Sequence, residues 1–243
     1  MKKTALLIVL GVITVFCICY GTYKHLGGFS SMFKDGINIS FDDDDYRNDE
    51  KNDGKYSIDE KLEKFSSIKI DAAVMGITIE EGEGFRIESS FNKETVRPVF
   101  SVNGNQLRVT QASRKQHGIN VGSQNCKVVI TIPSGTSLSS IDIDSNVGDV
   151  RLREIDVKDI DIDLNVGEID VRNIDFENIT CNNNVGEISI NPVARVDEYN
   201  ISASTDVGEV RVDGRNYKKS YNSRGNGKKK IQLNTNVGEI NIR

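Results

Sequence analysis

From residue 141 to the C terminus, apolar and polar residues alternate in short segments, and this alternation recurs along the chain. Within one period the apolar positions come as pairs that enclose a single polar residue: Ile141 and Ile143, Val150 and Leu152, and Ile155 and Val157. A period of two built mainly from β-branched residues is typical of strands with one buried face. The pattern therefore predicts three short strands per period and no helix.

A tetrapeptide of the type Asn-Val-Gly-Glu marks each period. Its copies begin at intervals of 19, 19, 22 and 30 residues, at Asn146, Asn165, Asn184, Asp206 and Asn236. Periods of this size are the signature of stacked structural units. We therefore predict an all-β fold over residues 141–243, a single-stranded β-solenoid (β-helix) with rungs of ~19 residues. Its narrow coil would be filled by side chains and would leave no room for a ligand.

The repeated tetrapeptide is interpreted as a structural corner. Stacked rungs place equivalent residues about 4.8 Å apart, so the amides of the Asn column can hydrogen-bond to one another. Glycine fits a corner that requires positive φ. The predicted corner residues are Asn146, Gly148, Asn165, Gly167, Asn184, Gly186, Gly208, Asn236 and Gly238. A phosphate-cradling loop is the alternative, but no predicted helix follows any copy and no Lys-Ser/Thr accompanies it.

The N-terminal residues predict a membrane anchor followed by a tether. Lys2 and Lys3 precede an apolar run, and segment 1–23 approaches the ~20 residues that span a bilayer. No small-x-small cleavage site follows, so we expect an uncleaved single-pass transmembrane helix in the cell membrane, with the C-terminal domain extracytoplasmic. Residues 24–64 are rich in Gly, Ser, Asn and charge, which predicts a disordered, acidic flexible linker.

Residues 65–140 are β-rich but irregular. They contain several strand patterns and a hairpin signal at Asn103-Gly104, and the sequence leaves open whether they continue the solenoid. Outside the anchor the cysteines are Cys126 and Cys181. Cys181 falls on an inward position of its rung, which favours a buried free thiol, with a disulfide to Cys126 as the alternative.

Stacking also aligns carboxylates on the outer surface. Asp142 stacks with Asp161, and Asp144 with Asp163; a further column holds Asp149, Glu168, Glu187, Glu209 and Glu239. These columns have three interpretations: a solvated surface that discourages lateral association of sheets, a divalent-cation site at the first four aspartates, or paired carboxylates for glycoside hydrolysis. The hydrolase is disfavoured, because the pattern predicts no wide groove.

The longest interval between copies contains a basic insertion, roughly residues 214–230. Its cations are Arg215, Lys218, Lys219, Arg224, Lys228, Lys229 and Lys230. Insertions in solenoids often line a binding face, so this loop is a candidate contact for anionic wall polymer or lipid headgroups. The alternative is that it folds over the open end or docks on the linker. Without a cap, exposed Ile240 and Ile242 would favour end-to-end association into a scaffold.

Composition narrows the classes of function. The net charge of −5 makes nucleic acid an unfavourable partner. Trp is absent and 7% of residues are aromatic, which argues against a typical sugar-stacking platform. The two histidines, His25 and His117, accompany neither a nucleophile motif nor zinc-ligand spacing. We therefore predict no enzymatic activity, no catalytic residue and no cofactor, with calcium as the one candidate ion.

From about Phe65 to Arg243 the chain resembles the LiaG-like putative adhesin domain family of bacteria. The resemblance is carried by Ile130-Thr131-Ile132-Pro133, the step through Leu138 to Ile141-Asp142-Ile143, the Val-Gly-Glu/Asp rungs and the insertion before Asn236. It implies a β-solenoid surface domain linked to adhesion or envelope stress, with no catalytic residues to assign.

These observations lead to one functional prediction: a non-catalytic, membrane-anchored, extracytoplasmic, adhesin-like β-solenoid that binds or senses at the cell envelope. Its expected partners are the membrane, through the N-terminal helix, and an anionic envelope polymer or another surface protein. A self-associating scaffold and a divalent-cation-binding surface module are the alternatives.

Overall fold

Nineteen β-strands and two 3₁₀ helices, Glu94–Val96 and Val196–Glu198, form the part of the chain that the computed structural model describes, residues 56–111, 125–225 and 227–243. No α-helix occurs among these residues, so the all-β prediction is confirmed there. The strands are β1 Tyr56–Lys61, β2 Ser67–Val74, β3 Gly76–Gly82, β4 Arg86–Phe91, β5 Pro98–Asn103, β6 Gln106–Gln111, β7 Cys126–Pro133, β8 Ser137–Val147, β9 Val150–Arg153, β10 Asp156–Val166, β11 Ile169–Ile174, β12 Asn178–Val185, β13 Ile188–Pro192, β14 Tyr199–Val207, β15 Val210–Val212, β16 Arg215–Asn216, β17 Ser220–Ser223, β18 Lys229–Val237 and β19 Ile240–Ile242.

The predicted anchor, 1–23, and most of the predicted linker, 24–64, lie outside the described residues. The described ranges contain no helix with the length and hydropathy of a membrane span. The last part of the linker is corrected by the structure, because Tyr56–Lys61 forms β1 and pairs antiparallel with β4. All described residues except Asn125 belong to one compact unit, Asp53–Lys115 together with Cys126–Arg243.

The strands form two sheets that share one hydrophobic core. The ten-stranded sheet has the order β1-β4-β7-β3-β9-β11-β13-β19-β15-β16, and the nine-stranded sheet has the order β17-β14-β18-β12-β10-β8-β2-β6-β5. Inward apolar side chains from both sheets form a single buried cluster. The alternation seen in the sequence places the intervening polar residues on the outer faces, as expected for strands buried on one side.

Each rung consists of one strand from each sheet, joined at the Val-Gly corner. β8 passes into β9 there, and β10 passes into β11, with successive rungs parallel and offset by 19 residues, as in the pair Ile141 and Ile160. The ~19-residue rung is therefore confirmed, whereas the prediction of three strands per rung is wrong. The segment with Val157, predicted as a third strand, runs without interruption into the next rung's first strand as part of β10.

Within the segment 65–140, the described residues continue the solenoid. β2 pairs in parallel with β8 in one sheet, and β3 pairs in parallel with β9 in the other, so together they form a rung beside the first regular repeat. β6 and β7 form the next rung outward, paired with β2 and β3. The sequence pattern left this point open because Val74 and Met75 stand where the regular corner has its Val-Gly dipeptide.

The spatial order of rungs differs from their order in the chain at both ends. β18 and β19, the last strands in sequence, lie between the rung of β12 and β13 and the rung of β14 and β15. Ile240 and Ile242 are therefore fully buried, which removes the exposed apolar end on which the scaffold hypothesis depended. Antiparallel strands cover the terminal rungs: β16 and β17 at one end, β4 and β5 at the other.

The two cysteines of the described unit are free thiols buried in different rungs. Cys126 begins β7 and Cys181 lies in β12, and four rung steps separate these strands. At about 4.8 Å per step the separation is about 19 Å, far beyond the ~7 Å limit for a disulfide between Cα atoms. The expected free thiols are confirmed, and the alternative disulfide is wrong.

Candidate binding surfaces

Glycines occupy the repeated corner because no other residue fits there. Gly148, Gly167, Gly186, Gly208 and Gly238 have φ between 140° and 151°, a region that L-residues rarely adopt. A Cβ at any of these positions would lie 1.8–1.9 Å from a carbonyl oxygen of the adjacent rung. The tight stacking of corners therefore excludes side chains at these positions.

Beside the glycines, four asparagines form a hydrogen-bonded ladder along the solenoid axis. Asn165 Nδ2 donates to Asn146 Oδ1 over 2.6 Å, and Asn184 Nδ2 donates to Asn165 Oδ1 over 2.5 Å. Asn236 Nδ2 continues the ladder by donating to Asn184 Oδ1 over 2.8 Å. The spatial order of the corners differs from the chain order at one point: Asn236 precedes Asp206, because the last rung is inserted before the fourth copy.

The outer face of the nine-stranded sheet carries the predicted carboxylate columns. Asp142 is in register with Asp161, and Asp144 with Asp163, on the neighbouring strands β8 and β10. On the next strand the same two columns continue as Thr180 and Asn182. The acidic patch is therefore confined to one part of the sheet and ends where amides and hydroxyls replace the carboxylates.

Neighbouring groups compensate part of the charge in this patch. Lys69 forms an ion pair with Asp142, and Asn182 Nδ2 donates to Asp163 Oδ1 over 2.7 Å. Asp161 has no such partner: partial burial, and then repulsion by Asp163 and Asp142, raise the pKa of its carboxyl above the usual value. The ionised form of Asp161 is therefore less favourable here than that of a carboxylate in water.

The acidic face has a shallow depression but no assembled metal centre. A depression of about 240 Å³ lies over the columns and is lined by Asp144, Asp163, Leu164, Asn165, Asn182 and Asn184. Within residues 56–111, 125–225 and 227–243, no group of three or more His, Cys, Asp or Glu side chains converges as metal ligands would. The four candidate aspartates are thus aligned along the sheet and do not surround a point.

The corner carboxylates form a separate column with its own basic partners. Arg151 pairs with Asp149 at 3.3 Å, and Arg211 contacts both Glu209 at 2.9 Å and Glu239 at 3.3 Å. Burial, followed by repulsion from Asp149 and other carboxylates, raises the pKa of Glu168. These contacts give the column an intramolecular role.

Asp170 is an ion-pair centre that the sequence analysis did not single out. Its side chain is 7% exposed and lies at 2.5 Å from Arg153 and 2.8 Å from Arg172. Arg153 also donates to the Asp170 carbonyl oxygen over 2.8 Å. The sequence did contain a signal for this ion-pair centre. Arg153 and Arg172 are 19 residues apart, which places them at the same position of successive rungs, and Asp170 lies between them in the sequence.

The basic insertion, residues 214–230 and here named the basic cap, covers the end of the solenoid. β16 pairs antiparallel with β15 in one sheet, and β17 pairs antiparallel with β14 in the other. Between them the chain crosses the last corner, where Val210 N donates to the Lys218 oxygen over 2.6 Å and Thr205 N donates to the Lys219 oxygen over 2.8 Å. The interpretation that the loop folds over the open end is confirmed.

The seven candidate cations of the basic cap fall into two groups. Lys219 Nζ donates to the Asp206 carbonyl oxygen over 2.6 Å, and Lys229 forms an ion pair with Asp175, so both are used inside the molecule. The others are exposed and form no ion pair within the described part of the chain: Arg215, Lys218, Arg224, Lys228 and Lys230. This second group is free to contact a partner.

An aromatic pair accompanies the cations and was missed at the sequence level. The rings of Tyr217 and Tyr221 lie 4.4 Å apart between centroids, inclined at 54°. Tyr221 packs partly against the core, whereas Tyr217 is 36% exposed. A lone tyrosine within a basic loop gives no periodic signal, so only the fold brings the two rings together.

Comparison with known sequences identifies a family relationship. The sequence profile described as Toastrack DUF4097 matches residues 65–194 and 134–243, two overlapping stretches that span the solenoid. No curated protein matches the chain at a significant level.

Solved structures resemble the chain over most of its length. A putative cell adhesion protein from Clostridium sporogenes has a TM-score of 0.56 at 17% identity, with 78% of this chain and 98% of that chain covered. A putative adhesin from Parabacteroides merdae has a TM-score of 0.40 at 14% identity, covering 79% and 82% of the two chains. A putative lipid binding protein from Parabacteroides distasonis has a TM-score of 0.37 at 8% identity, covering 79% and 98%. The first of these supports the shared fold, and the predicted resemblance to an adhesin-like domain family is confirmed.

Proposed function

This chain belongs to the Toastrack DUF4097 family, and from this membership we propose that it is a non-catalytic, adhesin-like binding module held at the outer face of a cell membrane by segment 1–23. The basic cap is assigned to the contact with anionic envelope material. The name of the structural neighbour from Clostridium sporogenes, a putative cell adhesion protein, is consistent with a surface-binding role.

The architecture of the basic cap is the observation that carries this proposal. Its backbone is fixed by pairing with both sheets, while Arg215, Lys218, Arg224 and Lys228 remain exposed. Clustered cations on an otherwise acidic protein attract polyanions and orient them toward one end of the molecule. A rigid backbone lowers the entropy lost when such a partner binds.

The interior of the described residues supports binding at a surface over catalysis in a cleft. One hydrophobic core fills the space between the sheets, and the depression near Asp163 is open and shallow. Enzymes usually enclose their substrates in a deeper pocket in which a few polar groups converge. The described side chains offer no such arrangement at the basic cap.

Binding of the full-length protein, purified in mild detergent, to three immobilised polyanions tests the proposal. The probes are phosphatidylglycerol vesicles, polyglycerol phosphate and polygalacturonate. Combined replacement of Arg215, Lys218, Arg224 and Lys228 by Gln is expected to weaken binding at least about tenfold, and salt is expected to weaken binding of the unaltered protein. Lys219 and Lys229 are kept, because their intramolecular contacts hold the cap in place.

The matched control replaces Lys61 and Lys64 by Gln. Both are exposed and lie near the opposite end of the described unit, so the control tests whether charge position matters. Equal binding by the cap variant and the unaltered protein, or equal weakening by the control, would remove the assignment of the binding site to the cap. Protease protection of the C-terminal domain in intact cells would contradict the extracytoplasmic placement.

Divalent-cation binding on the acidic face remains the second candidate function. The observation in its favour is the registered placement of Asp142, Asp144, Asp161 and Asp163 on two adjacent strands. Calorimetric titration with calcium is expected to give a saturable heat that Asp161→Asn with Asp163→Asn abolishes. Heat that does not saturate, and that sodium chloride suppresses, would instead indicate diffuse screening of the charge.

Self-association into a scaffold is the third candidate and would now require contacts at the capping strands. Sedimentation of the full-length protein in detergent over a wide concentration range distinguishes a self-associating scaffold from a monomer. A sedimentation coefficient that rises with concentration supports the scaffold, and a constant monomer excludes it.

A further inference from the structure

The tip of the basic cap is a short turn that is fixed on both sides. Tyr217 N donates to the Val210 oxygen over 2.8 Å, and Lys218 and Lys219 accept from the two sheets across the corner. Asn216 adds a side-chain bond, because its Nδ2 donates to Glu209 Oε2 over 2.5 Å. The turn that carries Tyr217 is therefore held in one conformation before any partner arrives.

The exposed ring of Tyr217 packs against the ring of Tyr221. Tyr221 lies 4.4 Å away and is itself packed against the hydrophobic core, so the pair is not free to rotate as an isolated exposed tyrosine would. Tyrosine offers a large flat contact area at a low entropic cost and is enriched in binding hot spots. Its 36% exposure leaves ring surface for a second planar or ring-shaped partner.

Charge around the ring favours an anion. Residues 206–224 contain five basic and three acidic side chains. Of the acidic ones, Glu209 is already bound by Arg211 and Asn216, whereas Arg215 and Lys218 form no ion pair among the described residues. An anionic group next to the Tyr217 ring would meet two uncompensated cations.

We propose that the Tyr217 ring, with Arg215 and Lys218, binds the sugar rings of an acidic polysaccharide. The apolar face of a pyranose stacks on the aromatic ring, while the cations pair with carboxylate substituents. This inference rests on the proposed binding function of the basic cap and specifies its partner. Scarcity of aromatic residues argued against a typical stacking platform, but one supported ring per molecule is sufficient for a single subsite.

The residues beside Tyr217 disfavour the alternative of membrane insertion. Interfacial binding needs several apolar side chains on one face, together with basic residues. Here the exposed neighbours are Asn216, Lys218, Lys219 and Ser220, all of them polar or charged. A lipid surface would gain charge attraction from this cap but little burial of apolar area.

Two polymers that differ in ring content separate stacking from charge. Polygalacturonate carries carboxylates on sugar rings, whereas polyglycerol phosphate carries its anions on a chain without rings. For full-length Tyr217→Ala we expect Kd for polygalacturonate to rise about tenfold, by analogy with the loss seen when an aromatic side chain that stacks on a nucleobase is removed. Binding to polyglycerol phosphate should change less than about twofold, which also shows that the cap is folded.

Three further variants complete the test. Tyr217→Phe should bind polygalacturonate as the unaltered chain does, because the ring is retained. Arg215→Gln with Lys218→Gln should weaken binding to both polymers. Tyr56→Ala is the matched control: this residue is 43% exposed and stacks on Phe91 near the opposite end of the unit, so its loss should leave binding unchanged.

The outcomes distinguish this inference from the proposed function. If Tyr217→Ala leaves polygalacturonate binding intact while the charge variant abolishes it, the polysaccharide subsite is wrong and the basic binding surface stands. Binding to phosphatidylglycerol vesicles alone would assign the cap to lipid and overturn the inference. Absence of binding to all three probes overturns both.

Discussion

Replacement of Gly186 by Ala tests whether close stacking of the corners is what permits the rungs to align. Gly186 lies in the middle of the glycine column, between Gly167 and Gly238. Its φ is 140°, and an added Cβ would lie 1.8 Å from the Gly167 carbonyl oxygen. Ordinary C···O contacts are no shorter than about 3.3 Å, so the two corners would have to separate by about 1.5 Å.

The expected loss of stability has two parts. Holding an L-residue at this φ costs about 1–3 kcal/mol. Separation of the corners also weakens the hydrogen bonds that join them, in which Gly167 N donates to Val185 O over 3.0 Å and Ile169 N donates to Glu187 O over 2.9 Å. At about 0.5–1.5 kcal/mol for each bond, the total is about 2–6 kcal/mol. That is a large share of the about 5–15 kcal/mol typical of a folded domain.

Denaturation of the full-length protein by guanidinium chloride, followed by circular dichroism, measures this loss. Gly135→Ala is the control, because Gly135 also has positive φ, 73°, but an added Cβ there would meet nothing within 4 Å. We expect the control to lose only the about 1–2 kcal/mol of left-handed backbone strain. Equal losses in the two variants would refute the conclusion that contact between rungs selects glycine.

Three other substitutions test the side-chain contacts. Asn184→Ala removes one donor and one acceptor from the exposed ladder and should lower the free energy of unfolding by about 1–2 kcal/mol in chemical denaturation. Asp161→Asn should raise Tm at pH 7, because burial and neighbouring aspartates raise the pKa of this carboxyl in the folded state. The gain in Tm should vanish as pH falls through that pKa. Asp142→Asn is the control and should show no gain, because it loses the ion pair with Lys69. Asp170→Ala should lower the free energy of unfolding by about 3 kcal/mol in the same denaturation assay, because it leaves the guanidinium of Arg153 without its carboxylate partner. A loss below about 1 kcal/mol would contradict the conclusion that Asp170 is an ion-pair centre.

The corner could be predicted from the sequence because its chemistry is local. A glycine that requires positive φ and an amide that bonds to its own copy one rung away impose the same residues at every turn. The spacing of Asn146 and Asn165 therefore indicates both the contact and the direction of stacking. The alignment of Asp142 with Asp161 follows from the same register.

The number of strands per rung could not be predicted in this way. Val157 and Ile160 are both buried although two residues separate them, so the alternation breaks once inside β10. In the sequence this break has the same form as a bend between two strands. Only the pairing with β8, which continues through both segments, identifies a single strand.

The sequence predicted the cations of the basic cap but not the contacts that they make within the molecule. Clustering of cations in the insertion marks it as a surface feature, but charge alone does not say which of them are used internally. Lys219 and Lys229 find acceptors on other strands, and Tyr217 finds Tyr221 four residues away across a turn. These contacts depend on how the loop crosses the corner, which no periodicity encodes.

The exchange of rung order at both ends follows from how an end can be capped. At each end, one antiparallel capping strand is joined to the outermost rung by a short turn and is therefore next to that rung in sequence. β15 turns through Asp213-Gly214 into β16, and β5 turns through Gly104-Asn105 into β6, which makes β14–β15 and β6–β7 the outermost rungs. A rung that is separated from the outermost rung by the capping strands in the sequence cannot also be outermost, so it takes an inner position in the stack. β18–β19 and β2–β3 do so, and the parallel register of equivalent residues, such as Val185, Val237 and Val207, lets them enter without a change of pairing.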